Sequence, residues 1–254
     1  MVAPRSAVGA LTDPPISARD HWEGQADDWI ELTHSDPYYE LLNKPSFLEL
    51  VPEAGRLTIE VGCGEGRVAR ELLALGHRVV GFDASPALAR AATGHRVGVP
   101  VAVSDIAALP IATAAADIVV CFMVLMDIED LDGAVLELAR VLAPGGTLCI
   151  GILHPIMTSG LFVPGDEYRT FYMGEYLKTM RHVLDIERRA GGIFRFRLEH
   201  RPIEQYFRAF EAAGLVVAAL REPRPSEELV AERPEFANQV RVPNFLHLLA
   251  RHRH

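Results

Sequence analysis

The stretch Thr58-Ile59-Glu60-Val61-Gly62-Cys63-Gly64-Glu65-Gly66 decides the fold of this chain. Its first four residues have the pattern of a buried strand, the three alternate glycines form a turn, and an amphipathic helix pattern follows. Glycine can adopt positive φ and lets a ligand lie against bare backbone. The helix that follows points unpaired N–H groups at such a ligand. The stretch therefore predicts a ligand-binding turn in an α/β fold.

A carboxylate ends the next predicted strand. The segment Val79-Val80-Gly81-Phe82-Asp83 follows the helix, which Gly76 closes. A carboxylate in this position can accept hydrogen bonds from both hydroxyls of a ribose. Together with the glycine turn, Asp83 predicts a cofactor that contains adenosine.

The alternation of strands and helices continues downstream. Ser85-Pro86 supplies an N-cap and a first-turn proline for the next helix. The further predicted elements are the strand 100–104, the strand 117–126, the helix 131–142 and the strand 147–154. This order requires parallel strand pairing through right-handed crossovers.

Flanking segments are expected to cover this sheet. The apolar spacing in 18–51 predicts N-terminal cover helices, with a break at Asp36-Pro37. Residues 155–200 read as an inserted lid whose runs 182–189 and 193–199 form a β-hairpin. Two final strands are expected over 215–220 and 245–250. We expect 1–17 to be a disordered leader and 18–254 to be a single domain.

Composition and charge limit the class of protein. The chain has 254 residues, 49% of them hydrophobic, which is enough for one large α/β domain. A net charge of −9 without a block of Lys or Arg argues against a nucleic-acid partner. The longest apolar run, 118–126, is far shorter than the roughly 20 residues of a membrane-spanning helix. Cys63, Cys121 and Cys149 match no zinc site and suit reduced thiols, so we expect a cytoplasmic protein without a metal.

The chain resembles the class I S-adenosylmethionine-dependent methyltransferases over roughly residues 56–154, and more loosely to its end. The motifs that carry the resemblance are Glu60–Gly66, Gly81–Pro86, Asp105-Ile106, Asp117–Val120 and Ala139–Gly146. The resemblance implies a Rossmann-like sheet of seven strands, the last one antiparallel, and S-adenosylmethionine as the cofactor.

The resemblance also implies which residues meet the cofactor. They are Glu60, Gly62, Cys63, Gly64, Gly66, Asp83, Ala84, Asp105, Ile106 and Phe122. The three glycines would line its methionine and ribose, Asp83 would take the ribose hydroxyls, and Asp105 with Ile106 would meet the adenine. Alternatives remain for the three acids. Asp83 could only cap the next helix, Asp105 could only end a strand, and Glu60 could anchor the N–H groups of the glycine turn.

A sulfonium cofactor delivers its methyl group by in-line displacement, so the protein must hold a nucleophile in line and exclude water. His154, at the carboxyl end of the strand 147–154, is the candidate general base, with a structural histidine as the alternative. Asp127 would bind a cationic group of the acceptor or cap the next helix. The candidate acceptor-binding residues are Trp29, His34, Tyr38, Asp127, Tyr168 and Tyr172.

These observations predict methyl transfer to an oxygen or nitrogen atom of a small organic acceptor, by a monomer or homodimer. One alternative is a nicotinamide-dependent oxidoreductase, although the glycines run Gly-x-Gly-x-Gly and not Gly-x-Gly-x-x-Gly. The other alternative is a protein that binds S-adenosylmethionine as a partner without turnover.

Overall fold

Helices flank a mixed β-sheet whose strands alternate with helices along the chain in the predicted succession. The computed structural model describes residues 16–34, 36–95, 98–163, 165, 169–187, 191 and 193–253. Its helices are α1 (Ala18–Gly24), α2 (Ala26–Thr33), a π-helical turn (Tyr39–Asn43), α3 (Lys44–Leu48), α4 (Arg67–Ala74), α5 (Pro86–Gly94), α6 (Leu131–Val141), α7 (Pro155–Thr158), α8 (Ile203–Ala212), α9 (Glu227–Glu232) and a 3₁₀ helix (Pro234–Val240). Its strands are β1 (Thr58–Val61), β2 (Val79–Asp83), β3 (Val101–Val103), β4 (Ala116–Phe122), β5 (Leu142–Leu153), β6 (Gly160–Phe162), β7 (Phe171–Met173), β8 (Met180–Glu187), β9 (Ile193–His200), β10 (Leu215–Arg221) and β11 (Phe245–His252).

The central sheet has seven strands in the order β10-β11-β5-β4-β1-β2-β3. β11 is antiparallel to both of its neighbours, and the other neighbouring strands are parallel. The predicted α/β sheet of seven strands with an antiparallel last strand is therefore confirmed. Because β2 and β4 lie on opposite sides of β1, a crevice forms beyond the carboxyl ends of these strands.

Apolar residues bury both faces of the sheet. Along β4, Val119 and Cys121 pack in the cluster that includes helix α6, whereas Ile118 and Val120 pack in the cluster that includes α4. This alternation follows from the two-residue period of a strand. The continuous apolar sequence of β4 thus reflects a strand that is covered on both faces.

The strand predicted over 117–126 is wrong at its carboxyl end. β4 stops at Phe122, and Met123 takes a positive φ of 60°, which turns the chain out of the sheet. Leu125 and Met126 are nonetheless buried in the core. An apolar run therefore continued into a buried loop, which periodicity does not distinguish from a strand.

The N-terminal cover is helical, as predicted, with its break after α2. Trp22 packs edge-to-face on Trp29 at 5.1 Å between ring centroids. Both indoles also contact Phe194 and Phe196 of β9. Of the predicted leader, residues 1–15 lie outside the described residues, and Ser17 is the N-cap of α1.

The predicted hairpin within the insertion is confirmed. β8 and β9 pair antiparallel from Met180 opposite His200 to Glu187 opposite Ile193. The short strands β6 and β7 pair as a separate two-stranded ribbon. The proline-rich connector between β10 and β11 contains α9 and the 3₁₀ helix. Within the described ranges, no helix has the length and apolar character needed to cross a bilayer.

Candidate active site

A cavity of about 1400 Å³ lies at the carboxyl edge of the sheet. Its wall includes the glycine turn, the ends of β2 and β5, the loop after β4, the N-terminal helices and the first residue of β11. Pockets for single small molecules usually measure about 300–1,000 Å³. The volume is therefore sufficient for a cofactor and a second small molecule side by side.

The glycine turn gives this cavity a wall of bare backbone. Gly62, Gly64 and Gly66 have φ values of 70°, 55° and 83°, a backbone region that residues other than glycine rarely adopt. A Cβ at Gly62 would overlap the side chain of Val124, whereas no heavy atom lies within 4 Å of a Cβ built at Gly64. Gly64 therefore leaves open space in which a ligand can lie against the main chain. Gly66 is the N-cap of α4 and is not among the described residues that line the cavity.

Asp83 joins the glycine turn to the end of β2. Its Oδ2 accepts a hydrogen bond from the Gly64 N–H at 2.7 Å, and its Oδ1 accepts one from the Ser85 N–H at 2.8 Å. Ser85, not Asp83, is the N-cap of α5, because its Oγ accepts from the Leu88 N–H. Each carboxylate oxygen of Asp83 retains a second acceptor position. Burial raises the pKa of this carboxyl, and the two N–H donors oppose that rise.

Three polar atoms near the glycine turn are buried and have no hydrogen-bond partner within the described part of the chain. They are Glu60 Oε2, Tyr39 Oη and Arg67 Nη1. The Arg67 guanidinium lies 3.7 Å from the centroid of the Tyr39 ring, and all three residues line the cavity. Burial, and then the charge of Asp83, raises the pKa of Glu60 to about 8. A cationic donor and a carboxyl in one corner suit the carboxylate and ammonium groups of an amino acid, so these residues fit the methionine end of S-adenosylmethionine.

The other predicted cofactor residues lie along the same wall. Cys63, Ala84, Asp105, Ile106 and Phe122 all line the cavity. Asp105 Oδ1 also accepts a hydrogen bond from the Ala107 N–H at 2.8 Å, so it holds its own turn as well as facing the cavity. Phe122 packs on Phe47 at 4.5 Å between ring centroids.

The structure brings only part of the predicted acceptor set to the cavity. Trp29, Tyr38 and Asp127 line it. His34 does not, because it ends α2 with its Nδ1 hydrogen-bonded to the Ile30 carbonyl at 2.5 Å. Tyr172 does not either, since it lies on β7 with 67% of its surface exposed. Tyr168 lies outside the described residues.

His154, the candidate base, is buried and is not among the described residues that line the cavity. It is the N-cap of α7, where its Nδ1 accepts from the Ile156 N–H at 3.1 Å. Its Nε2 lies 3.1 Å from Glu222 Oε1. Burial lowers the pKa of His154, and Glu222 opposes that shift. Both ring nitrogens are thus engaged, which is the geometry of the structural alternative.

Sequence reasoning missed several residues of the wall. Arg67 lies in the wall against the Tyr39 ring, and its position directly after the last glycine was the available signal. Arg233, Asn244 and Phe245 also line the cavity. No local sequence pattern identifies these residues as part of the wall. Asn244 and Phe245 reach this edge because β11 runs antiparallel to β5.

Comparison with known proteins agrees with this geometry. The sequence profile of a methyltransferase domain matches residues 59–150. A ubiquinone biosynthesis O-methyltransferase of Ralstonia nicotianae is 30% identical over 161 residues, which cover 57% of this chain and 68% of that protein. The glycine turn, Asp83 and the strand order define a class I methyltransferase fold. The chain belongs to the class I S-adenosylmethionine-dependent methyltransferases.

Two further comparisons set the extent of the likeness. A probable S-adenosylmethionine-dependent methyltransferase of Mycolicibacterium smegmatis is 35% identical over 114 residues, 45% of this chain and 43% of that protein. The chain spans about half the length of most of the curated relatives it matches. The crystal structure of an S-adenosylmethionine-dependent methyltransferase from Mesorhizobium loti aligns with a TM-score of 0.68 at 24% identity, over 82% of this chain and 96% of that chain. It shares the fold.

Proposed function

We propose that this chain transfers a methyl group from S-adenosylmethionine to an oxygen or nitrogen atom of a small organic acceptor. When bound, the cofactor supplies an electrophilic methyl group on a sulfonium sulfur. The residues of the chain hold the acceptor atom in line with that methyl group and keep water out. The family assignment argues against a nicotinamide-dependent oxidoreductase. The remaining alternative is a protein that binds the cofactor without turnover.

The observation that carries the proposal is the division of the cavity along the sheet edge. The predicted cofactor residues follow β1, β2 and β3. We call this part of the cavity the cofactor half. A second set of lining residues, which we call the acceptor half, lies beyond β5 and β11, on the other side of β4, and includes Leu153, Phe245 and Tyr38. Because these strands are neighbours in one sheet, the two halves form one continuous space. This arrangement supports a reaction between two ligands.

The N-terminal cover supports the exclusion of water. Trp22 and Trp29 line the cavity and pack on Phe196 of the hairpin, so aromatic rings from two separate segments close the space. Gln25 reinforces this closure, because its side chain exchanges two hydrogen bonds of 2.9 Å with the main chain of Arg195. An electrostatic interaction gains strength when water is excluded.

The charges of the wall indicate which acceptors fit. The described lining contains ten acidic side chains and three guanidinium groups: Asp36, Glu40, Glu60, Glu65, Asp83, Asp105, Asp127, Glu129, Asp130 and Glu235, with Arg19, Arg67 and Arg233. Burial raises the pKa of Glu60 and Asp127, so the negative charge of the wall comes mainly from the other eight acids. In the acceptor half, Arg233 already pairs with Glu235 at 2.7 Å. An anionic acceptor would meet net repulsion. The wall therefore supports a neutral or cationic acceptor over a carboxylate or phosphate.

Two considerations bear on the atom that is methylated. Several relatives are named ubiquinone biosynthesis O-methyltransferases, which supports a hydroxyl oxygen. The acidic wall would also stabilise the positive charge of an amine. The proposal therefore keeps oxygen and nitrogen acceptors and excludes anionic ones.

The test starts with the cofactor and continues with a panel of acceptors. Calorimetry with S-adenosylmethionine, S-adenosylhomocysteine and NADH is expected to show binding of the first two only. Mass spectrometry then follows S-adenosylhomocysteine and methylated product with a catechol, a phenol, an aromatic amine and an aromatic carboxylate. We expect product from at least one of the first three and none from the carboxylate. Cofactor binding with no product from a broad set of such acceptors would favour the non-catalytic alternative.

A matched pair of variants tests where the cofactor lies. Gly64→Ala and Gly76→Ala both place alanine at a positive φ, with open space around the new Cβ in each case. Each should cost about 1–2 kcal/mol of stability. Only Gly64→Ala puts its methyl group into the cavity, so only this variant should lose affinity for S-adenosylhomocysteine. Equal affinities in the two folded variants would contradict the proposed cofactor position.

A cytoplasmic location and a monomeric or homodimeric state belong to the same proposal. The three cysteines are free and buried, which supports a reducing compartment. Light scattering during size exclusion measures the oligomeric state.

A further inference from the structure

The loop 123–130 connects β4 to α6 and forms a large part of the cavity wall. Seven of its eight residues line the cavity, including Val124 beside the glycine turn and Asp127 farther along. The loop is irregular, with Met123 at a φ of 60° and one internal hydrogen bond from the Asp127 N–H to the Val124 carbonyl at 2.8 Å. A buried carbonyl without a donor destabilises the fold. The carbonyls of this loop therefore need donors from elsewhere.

Two residues at the end of the hairpin supply those donors. Arg201 donates to the carbonyls of Leu125 at 3.1 Å, Ile128 at 2.6 Å and Glu129 at 3.1 Å. The Glu199 N–H donates to the carbonyl of Met126 at 2.7 Å. Four carbonyls of one loop are thus bound by two residues that follow each other closely on β9 and after it. A planar guanidinium with five N–H donors can satisfy several acceptors at once, which an ammonium group does not do.

Arg201 itself lies outside the cavity wall. It is 5% exposed and is not among the described residues that line the cavity. No carboxylate of the described residues forms an ion pair with it; its guanidinium binds the loop carbonyls and also the side chain of Tyr206 on α8. Arg201 can therefore influence a ligand in the cavity through the loop carbonyls that it binds.

The loop carries a carboxyl whose surroundings depend on this arginine. Asp127 is buried, and its Oδ1 has no hydrogen-bond partner within the described ranges. Burial raises the pKa of Asp127, and the nearby guanidinium groups of Arg197 and Arg201 oppose that rise. Arg201 thus affects both the position and the charge of Asp127.

We propose that Arg201 is a positioning residue: it fixes the loop 123–130, and through it the Val124 wall of the cofactor half and the Asp127 carboxyl. The proposal rests on the proposed function for its catalytic consequence, but the ordering of the loop can be measured without any ligand. The hairpin of the insertion is then more than a cover, because its end determines the shape of the cavity wall.

Arg201→Ala is the test variant, and Arg140→Ala is its matched control. Arg140 also donates to two carbonyls, those of Leu109 at 3.2 Å and Ile111 at 2.9 Å, but it binds a different segment and does not contribute to the described cavity wall. We expect amide exchange in the peptide 123–130 to become at least about tenfold faster in Arg201→Ala. We expect its affinity for S-adenosylhomocysteine to fall by at least about tenfold. Arg140→Ala should lower Tm and change neither quantity by more than about threefold.

Chemical rescue separates positioning from general destabilisation. Ethylguanidinium can occupy the space left in Arg201→Ala and bind the same carbonyls, so millimolar amounts should restore both slow exchange and affinity. Ethylammonium, which carries the same charge without the planar donor set, should not. If Arg201→Ala does not fold, Arg201→Lys replaces it, with the same expected direction. A folded variant that retains slow exchange in the loop and wild-type affinity would overturn the proposal. Failure of the wild type to bind S-adenosylhomocysteine would overturn the proposed function instead, and the exchange measurement would still decide the role of Arg201.

Discussion

Replacement of Asp83 by alanine provides a quantitative test of the cofactor site. The carboxylate accepts one hydrogen bond on each oxygen, from Gly64 and Ser85, and keeps one further acceptor position on each. Those two positions can take the two hydroxyls of a ribose. A hydrogen bond to a charged group contributes about 1.5–3 kcal/mol. Loss of both therefore weakens binding by about 3–6 kcal/mol, or by roughly 10²-fold to 10⁴-fold.

The same substitution also affects stability. It removes the acceptors of the Gly64 and Ser85 N–H groups, each of which costs about 1–3 kcal/mol when buried without a partner. A loss of affinity could then reflect a distorted turn. Asp117→Ala is the matched control, because Asp117 Oδ2 accepts from the N–H groups of Arg56 at 2.5 Å and Leu57 at 3.1 Å. Asp117 lies near the amino end of β4, at the edge of the sheet opposite the cavity.

The assay is calorimetric titration of both variants with S-adenosylhomocysteine, after cooperative thermal unfolding has been shown for each. We expect both variants to lose stability and only Asp83→Ala to lose affinity. A cooperatively folded Asp83→Ala protein that binds within about threefold of the wild type would refute the assignment of the ribose contact. Equal losses of affinity in both variants would show that the effect reflects stability alone.

Three further predictions concern other groups around the cavity. Glu60 has a folded-state pKa of about 8, above its ordinary value of 4.5, so the folded protein retains a proton that the unfolded chain loses. The free energy of unfolding should therefore fall by up to about 1.4 kcal/mol per pH unit as the pH rises between these two values. Glu60→Gln should flatten this dependence in Tm measurements from pH 5 to 8. His154→Asn retains an acceptor for the Ile156 N–H, so the initial rate of methylation at neutral pH should be unchanged. A rate lowered about tenfold would instead identify His154 as the general base. Glu23 Oε2 accepts from the Ser85 hydroxyl and the Ala87 N–H, so Glu23→Ala, which removes this acceptor, should speed amide exchange in α1. Unchanged exchange would show that this contact does not hold the helix.

The cofactor half could be predicted because its signals are local. The turn at Gly64 needs positive φ, and Asp83 needs to end a strand, and both requirements are visible within a few residues of sequence. Ser85-Pro86 likewise started a helix where the cap rules place one. The parallel pairing among β1 to β5 likewise followed from the alternation of strands and helices along the chain.

Long-range partners explain why the structure places two of the predicted site residues, His154 and Tyr172, outside the described cavity wall. His154 was placed correctly at the carboxyl end of β5, yet its ring turns toward Ile156 and toward Glu222, which is 68 residues away in sequence. Tyr172 has an aromatic ring and a hydroxyl that suit a ligand pocket, but its strand β7 pairs with β6 in a ribbon that leaves the side chain exposed. A single sequence gives residue types, whereas the direction of a side chain depends on contacts that no local pattern records.

The two halves of the cavity differ in this respect for a physical reason. The cofactor half is built almost entirely from the contiguous segment 60–106, in which each strand end follows its predecessor through one short helix. The acceptor half combines Tyr38, the end of β5, the 3₁₀ helix and the start of β11, which come together only after the sheet has closed on its antiparallel strand. Variation in these distant segments can therefore change the acceptor without disturbing the nucleoside site. On the proposed function, we expect the charge of the wall, with Arg233 paired to Glu235, to be the property of this chain that most directly limits its acceptor.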